Sequence, residues 1–333
     1  MIIHQKLKNN RFLNYKTLVS FLISFLGIYL GFKDFDFHEF KEAILEVNLV
    51  YFIVSMLIMI FLVYLRAYRW KYLIAPVKKV SIFQLYRMEM VGYFGNNVFP
   101  LKLGEMLRAY SLGKQENISG ISVFGTIINE RLLDTVVVLV FTAVSTLIFP
   151  QFPDWVRKAG LLGFILLFCL GIISLFLYFN RNSIKEKWTN LSQKYANRRT
   201  IKFLHKLFDG LATLFTIPNI SMVYILSFLI WGITVLLFWV IGMSMNISFT
   251  LYEMLLIFIV TSIVVSVPSA PGYIGTYHAS AITVLVFLGV AATKAQVLAI
   301  IMHAVGFVPL TLIGLYYFLK FQIKISETRQ MEK

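Results

Sequence analysis

The stretch FGNNVFPLKLGEMLRA, Phe94 to Ala109, places two asparagines, a proline and three charged residues between strongly apolar segments. Asn96, Asn97 and Pro100 are expected to end a helix, and Gly104 allows a new helix to begin close to a neighbouring backbone. Non-helical backbone at membrane depth survives only where it is buried in protein or lines a wet cavity. Within a membrane protein, the stretch therefore predicts a broken, re-entrant element.

The composition indicates that the rest of the chain does lie in a membrane. Of its 333 residues 59% are hydrophobic, against about 45–50% in soluble domains, and the mean hydropathy is +0.77. Several segments approach the roughly 20 apolar residues that cross a ~30 Å hydrocarbon core. We predict an all-α integral membrane protein, one polytopic domain over residues 1–333 with about eight transmembrane helices. The predicted spans lie near 15–32, 49–66, 132–149, 160–179, 220–243, 250–267, 274–290 and 296–319, with 80–130 re-entrant or interfacial.

The charge distribution predicts the orientation. The net charge is +15, and basic residues collect in the loops 66–79 and 180–209, whereas the loop 33–47 is acidic. Because cytoplasmic loops of membrane proteins carry the excess of Lys and Arg, we expect a multi-pass protein of the cytoplasmic (inner) cell membrane with both termini inside. The basic segment 180–217 is amphipathic and lies either on the inner membrane surface or as a solvated helix pair against the membrane domain. Its charge points to anionic lipids and not to nucleic acid.

A second interruption resembles the first. The stretch VPSAPGYIGTYHAS, Val267 to Ser280, contains Pro268-x-x-x-Gly272, and the first break contains Pro100-x-x-x-Gly104. Broken segments at corresponding positions of two halves indicate a transporter site built from a repeat. One such match leaves an inverted repeat open, and 274–290 either crosses fully or is re-entrant.

The third unusual feature is NERLLD, Asn129 to Asp134. One helix from Ser119 to Phe149 would be about 46 Å long, which places the charges of NERLLD near or inside the inner boundary. Charged residues at that depth are rare and mark either a functional pathway or a salt-bridged knot between helices. Both interpretations stay open for Glu130, Arg131 and Asp134.

Other polar residues have simpler interpretations. His278 follows the second break and is a candidate ligand contact, whereas His303 is expected to make a helix–helix hydrogen bond. The chain has one cysteine, Cys169, and no metal-binding or phosphate-loop motif, so we expect neither metal nor cofactor. A group of basic and aromatic residues is interpreted as an interfacial anchor: Tyr64, Arg66, Tyr68, Arg69 and Trp70.

Four stretches in order, GNNVFPLKLGEMLRA, NERLLD, PSAPGYIGTYHAS and AIIMHAVGF, resemble the flippase-like membrane domain of lysylphosphatidylglycerol synthases. The resemblance covers roughly residues 15–320. It implies a bundle of about eight helices with re-entrant pieces and a lipid substrate. In full-length synthases this domain is thought to move aminoacylated phosphatidylglycerol between leaflets, and a separate soluble domain makes that lipid from aminoacyl-tRNA. We expect a stand-alone member without the transferase domain, which favours a transporter over an enzyme.

The expected function is translocation of a charged or glycosylated lipid between leaflets, for example aminoacyl-phosphatidylglycerol or a polyprenyl- or hopanoid-type lipid. Two alternatives are a non-transporting membrane partner of a lipid-modifying or glycosyltransfer enzyme, and a membrane enzyme of the phosphatidylglycerol lysyltransferase type. The two breaks would form facing walls of a headgroup cavity. Lys102, Arg108 and Arg131 suit a phosphate, because Arg can grip it with two donors. Glu105, Glu130 and Asp134 suit an amine or hydroxyl groups. The other expected headgroup residues are Asn96, Asn97, Tyr273 and His278.

Overall fold

All regular secondary structure in the described part of the chain is helical. The computed structural model describes residues 15–33, 35–99, 103–179, 217, 219–266 and 269–321, so Lys102 and 180–216 of the basic segment lie outside it. The helices are α1 (Tyr15–Phe32), α2 (Phe37–Leu45), α3 (Leu49–Ile74), α4 (Ile82–Val98), α5 (Gly104–Glu116), α6 (Gly120–Ile148), α7 (Asp154–Phe179), α8 (Ile220–Met243), α9 (Leu251–Ser266), α10 (Thr276–Phe287) and α11 (Ala292–Lys320), with a 3₁₀ turn at Pro271–Tyr273.

The distribution of polar and apolar side chains is that of a membrane protein. Helices α3, α6, α8 and α11 are each long and apolar enough to span a bilayer. Phe25, Leu147 and Leu312 are 60–70% exposed, whereas Glu130 and Arg69 are fully buried. Exposed apolar surface on this scale marks contact with lipid. The chain is a multi-pass α-helical membrane protein, which confirms the predicted fold class.

The first break forms a tight hairpin. Helix α4 ends at Val98 and α5 begins at Gly104. A methyl group on Gly95 would lie 2.5 Å from the Cα of Gly104, so the two backbones touch at the turn. At the other end of the hairpin, Lys78 Nζ lies 2.9 Å from Glu116 Oε2. The hairpin therefore returns to the side on which it started, as a re-entrant element does.

The second break also lies between two short helices. Helix α9 ends at Ser266, and α10 covers only Thr276–Phe287. Twelve residues of α-helix span about 18 Å, less than the ~30 Å hydrocarbon core. Of the two possibilities left open for 274–290, the length of α10 favours the re-entrant one. At the break itself two glycines adopt left-handed backbone, with φ of +65° at Gly272 and +93° at Gly275, so α10 begins only at Thr276.

Two groups of four helices correspond to each other. Helices α3 to α6 have 26, 17, 13 and 29 residues, and α8 to α11 have 24, 16, 12 and 29. The backbone N–H of Asn48, just before α3, donates to the carbonyl oxygen of Ser244, just after α8, at 2.8 Å. Helices α3 and α8 pack against each other and run antiparallel. This is the arrangement of an inverted repeat, in which hairpins α4–α5 and α9–α10 occupy corresponding places.

The long helices extend beyond the predicted spans. Helix α3 continues eight residues past the predicted end at 66, to Ile74. Helix α6 is continuous from Gly120 to Ile148, as NERLLD predicted. Both helices therefore carry charged residues in their interiors and not in flanking loops, and these residues face one another.

Candidate functional site

A cluster of four arginines and four carboxylates lies where helices α3, α4, α5 and α6 meet. Its members sit three residues apart on α3 and on α5, so each of these two helices presents its charges on one face, and α6 contributes Glu130 and Asp134 four residues apart with Arg131 beside them. The cluster consists of Arg66, Arg69, Glu89, Glu105, Arg108, Glu130, Arg131 and Asp134.

Asp134 connects three helices. Its carboxylate accepts hydrogen bonds from Arg69 Nη1 at 2.7 Å and from Arg66 Nη1 at 3.2 Å. The indole Nε1 of Trp231 on α8 donates to it at 3.0 Å. Arg69 also donates to Ser227 Oγ, 3.0 Å away on α8. This carboxylate thus holds α3, α6 and α8 together.

Arg108 is the centre of a second buried group. Its Nη2 lies 2.6 Å from Glu89 Oε1 and 2.7 Å from Glu130 Oε2. The guanidinium stacks over the ring of Trp70 at 3.6 Å, a cation–π contact. At most 2% of each of these four residues is exposed. Such burial of charge is tolerated because every charge is paired.

The predicted interfacial anchor is wrong for Arg66, Arg69 and Trp70. Arg69 and Trp70 are fully buried, and Arg66 is 8% exposed. Because α3 continues to Ile74, these residues lie inside the bundle, where Asp134 supplies the partner charge. Tyr64, in contrast, is 40% exposed.

Arg131 forms the accessible edge of the cluster. Its side chain is 43% exposed, and its Nε lies 3.1 Å from Oε1 of Glu105, whose side chain is 24% exposed. Its two other nitrogens lie 3.1 Å from Glu130 Oε1 and 3.4 Å from Asp134 Oδ2. Arg131 therefore stays anchored by two buried carboxylates while it faces outward toward Glu105.

A cavity of about 650 Å³ opens at this edge. Its walls come from α4, α5, α6, α8, α9, the 3₁₀ turn and α10, so both breaks contribute. Most of its remaining surface is apolar, with Val138, Leu139, Phe238 and Phe258 among the lining residues. Seven of the ten predicted site residues line it: Asn96, Asn97, Glu105, Arg108, Arg131, Asp134 and Tyr273.

The other three predicted residues are not among the described residues that line the cavity. Lys102 lies outside the described residues. Glu130 is fully buried among the three arginines that it pairs with, Arg69, Arg108 and Arg131. His278 lies behind the second break, where its Nδ1 accepts a hydrogen bond from the Gly275 N–H at 3.3 Å. A direct headgroup contact stays a prediction for each of them.

The two breaks touch each other. A methyl group on Gly272 would lie 3.2 Å from the carbonyl oxygen of Asn97. The Asn97 amide donates to Thr311 Oγ1 on α11 at 2.8 Å. His303, also on α11, donates from Nε2 to the carbonyl oxygen of Gly272 at 2.7 Å. The hydrogen bond expected for His303 therefore goes to the 3₁₀ turn and fixes the second break, with no neighbouring helix as partner.

Comparison with known proteins identifies the family. The model of the lysylphosphatidylglycerol synthase transmembrane (TM) region matches residues 17–314. The chain belongs to this family. A UPF0104 membrane protein of Methanothermobacter thermautotrophicus is 22% identical over 306 residues, which cover 87% of this chain and 90% of the relative. A UPF0104 membrane protein of Methanocaldococcus jannaschii is 28% identical over 181 residues, 54% of each chain. No solved structure gives a significant match.

Membership confirms the resemblance seen in the sequence and indicates a lipid-related membrane role. The lining residues that sequence reasoning did not assign to the site include Glu89, Tyr93, Trp231 and Thr234. Glu89 carried a signal, since it is a lone carboxylate among the apolar residues of α4. Trp231 and Thr234 carried none, because they lie in an ordinary apolar span whose orientation the sequence does not specify.

Proposed function

We propose that this protein moves a lipid with a polar headgroup between the two leaflets of the membrane. The headgroup would occupy the cavity while the acyl chains remain in the bilayer. The observation that carries the proposal is the accessible Arg131–Glu105 pair, which faces a cavity bounded by two broken hairpins. A polar pocket inside an apolar bundle offers a headgroup the hydrogen bonds and charges that the hydrocarbon core lacks.

The inverted repeat supports translocation over simple binding. In transporters built this way, the site lies at the interface of the two halves, and one half rocks against the other. Here the cavity has walls from α4–α6 and from α8–α10, which belong to opposite halves. Its volume of about 650 Å³ falls in the range of small-molecule sites, about 300–1,000 Å³.

The charge distribution of the loops further supports an inner-membrane location with both termini in the cytoplasm. In that orientation α6 begins inside, so Glu130 and Asp134 lie in the inner half of the bilayer. A headgroup would then reach the cluster from the cytoplasmic leaflet.

The experiment is a translocation assay on the purified full-length chain in liposomes. Lipids of a bacterial or archaeal polar extract carry a fluorescent label on one tail. Dithionite added outside the liposomes quenches the label only in the outer leaflet, so the loss of the remaining fluorescence reports translocation. Ser262→Trp fills the cavity from α9, and Leu147→Trp adds the same ring to a residue that is 69% exposed. We expect translocation by the wild type and by Leu147→Trp, and its loss in Ser262→Trp.

Two outcomes would contradict the proposal. If the wild type moves no labelled lipid faster than protein-free liposomes, the chain is not a translocator, and the role of membrane partner to a lipid-modifying enzyme gains support. If Ser262→Trp moves lipid as fast as Leu147→Trp, the cavity is not the route.

A further inference from the structure

Among the described residues, the charges of the cluster balance. Four guanidinium groups face four carboxylates, and each of the arginines, Arg66, Arg69, Arg108 and Arg131, contacts at least one carboxylate. Adding a group of net charge to such a site leaves one charge without a partner where the bound headgroup has displaced water, which is costly. The balance therefore disfavours a headgroup with a net positive or negative charge.

The pairs of the cluster differ in accessibility. The side chains of Arg108 and Glu89 are 2% exposed, and those of Arg69 and Glu130 are fully buried. The pair Arg131–Glu105 is the exception among these, at 43% and 24%. A headgroup entering the cavity meets this pair first.

The geometry permits an exchange at this pair. A phosphate that takes the place of Glu105 on Arg131 Nε leaves the Arg131 nitrogens on Glu130 and Asp134 undisturbed, since these use other atoms of the guanidinium. Glu105 then requires a cation, because its contact with Arg131 is gone. An ammonium on the same headgroup supplies it, and the number of ion pairs is unchanged.

We propose, resting on the translocation function proposed above, that the substrate headgroup is a zwitterion that carries a phosphate and an ammonium. The phosphate pairs with Arg131 on α6 and the ammonium with Glu105 on α5. A purely anionic headgroup leaves Glu105 unpaired. A cationic headgroup adds a charge for which the cluster has no carboxylate to spare. An uncharged sugar has no anion to replace Glu105 beside Arg131 and no cation to replace Arg131 beside Glu105, so it does not open this pair.

The test compares headgroups in one bilayer. Wild-type protein is reconstituted in liposomes of digalactosyldiacylglycerol with trace amounts of four tail-labelled lipids that have identical tails. The four probes are phosphatidylethanolamine (zwitterionic), phosphatidylglycerol (anionic), lysylphosphatidylglycerol (cationic) and digalactosyldiacylglycerol (uncharged). We expect phosphatidylethanolamine to move several-fold faster than the other three.

Glu105→Gln should change which headgroup the protein moves fastest. This change keeps the shape of the side chain and gives the cavity one unbalanced positive charge, so phosphatidylglycerol should become the fastest probe. Glu46→Gln is the matched control, because Glu46 forms an exposed ion pair with Lys294 at 3.1 Å, away from the residues that line the cavity. The control should keep the wild-type order of headgroups.

Two results would overturn the zwitterion while translocation stands: a wild type that moves a charged or uncharged probe at least as fast as phosphatidylethanolamine, or a Glu105→Gln variant with the wild-type order. If no probe moves, translocation itself fails, and native mass spectrometry of the protein with an equal mixture of the four lipids decides the headgroup. Retention of phosphatidylethanolamine by the wild type and its loss in Glu105→Gln would support the zwitterion. Equal retention of all four would overturn it.

Discussion

Arg69 Nη1 lies 2.7 Å from Asp134 Oδ1, although 65 residues separate them and the hairpin α4–α5 lies between them in the chain. Both side chains are buried, so neither water nor salt screens the pair as it would at a surface. This pair fixes α3 against α6, and its carboxylate, Asp134, lines the cavity. The stability of the bundle should therefore depend on it more than on any exposed ion pair of the described residues.

Asp134→Asn should lower the free energy of unfolding by about 3–5 kcal/mol, the usual cost of removing one partner from a buried pair. The reason is that Arg66 would lose the carboxylate that it contacts, and Arg69 would keep only its longer contact with Glu130, at 3.4 Å. Denaturant unfolding in mild detergent measures the change. Glu46→Gln removes a carboxylate from an exposed pair and should cost less than about 1 kcal/mol. Equal losses of unfolding free energy in the two variants would show that the buried pair contributes no more to stability than the exposed one.

Gly104→Ala should prevent the hairpin α4–α5 from forming. An added Cβ would overlap the carbonyl oxygen of Gly92 and lie 2.5 Å from the backbone nitrogen of Asn96, and neither backbone atom can move alone. Gly232→Ala is the control, because no atom lies within 4 Å of its added Cβ. We expect low yield or aggregation of Gly104→Ala in size-exclusion chromatography. Gly232→Ala should match or exceed the wild type, since Ala favours helix over Gly. A monodisperse Gly104→Ala protein would contradict the close contact.

The contact between the first break and α11 can be tested by cross-linking. Cys169 is the one cysteine of the chain, so Cys169→Ser gives a cysteine-free background with a single exposed change. In that background, Asn97→Cys with Thr311→Cys should form a disulfide under mild oxidation, because Nδ2 of Asn97 lies 2.8 Å from Oγ1 of Thr311. Asn97→Cys with Leu312→Cys should not, since Leu312 is 62% exposed on another face of α11. Cross-linking of both pairs alike, detected by the shift of a proteolytic fragment, would place the first break elsewhere.

The local elements of this fold are visible in the sequence, and the contacts between them are not. Pro100 and the Pro/Gly run of the second break showed where the chain interrupts its helices, because those residues act on their own backbone. The expectation that Asn96 and Asn97 end a helix was wrong, since both lie inside α4, which continues to Val98. NERLLD showed that α6 carries buried charge. It did not show that Arg66 and Arg69 supply the partners, since the spacing within α3 does not tell which way the helix faces. The sequence also left open whether 274–290 crosses fully or is re-entrant, because an apolar run of that length is compatible with either a span or half of a hairpin.

Arg108 and Arg131, which the sequence analysis assigned to the same phosphate, should have different roles: Arg108 stabilises the fold and Arg131 binds the lipid. Arg108→Gln should unfold or strongly destabilise the protein, because Glu89 and Glu130 would be left buried without the cation between them. Arg131→Gln should fold, since this side chain is 43% exposed and water can reach the edge that it leaves. Lipid translocation in liposomes should nevertheless be lost in Arg131→Gln, because the phosphate partner is gone. Thermal unfolding in detergent orders the two stabilities. A less stable Arg131→Gln than Arg108→Gln would show that the accessible arginine, and not the buried one, holds the helices together.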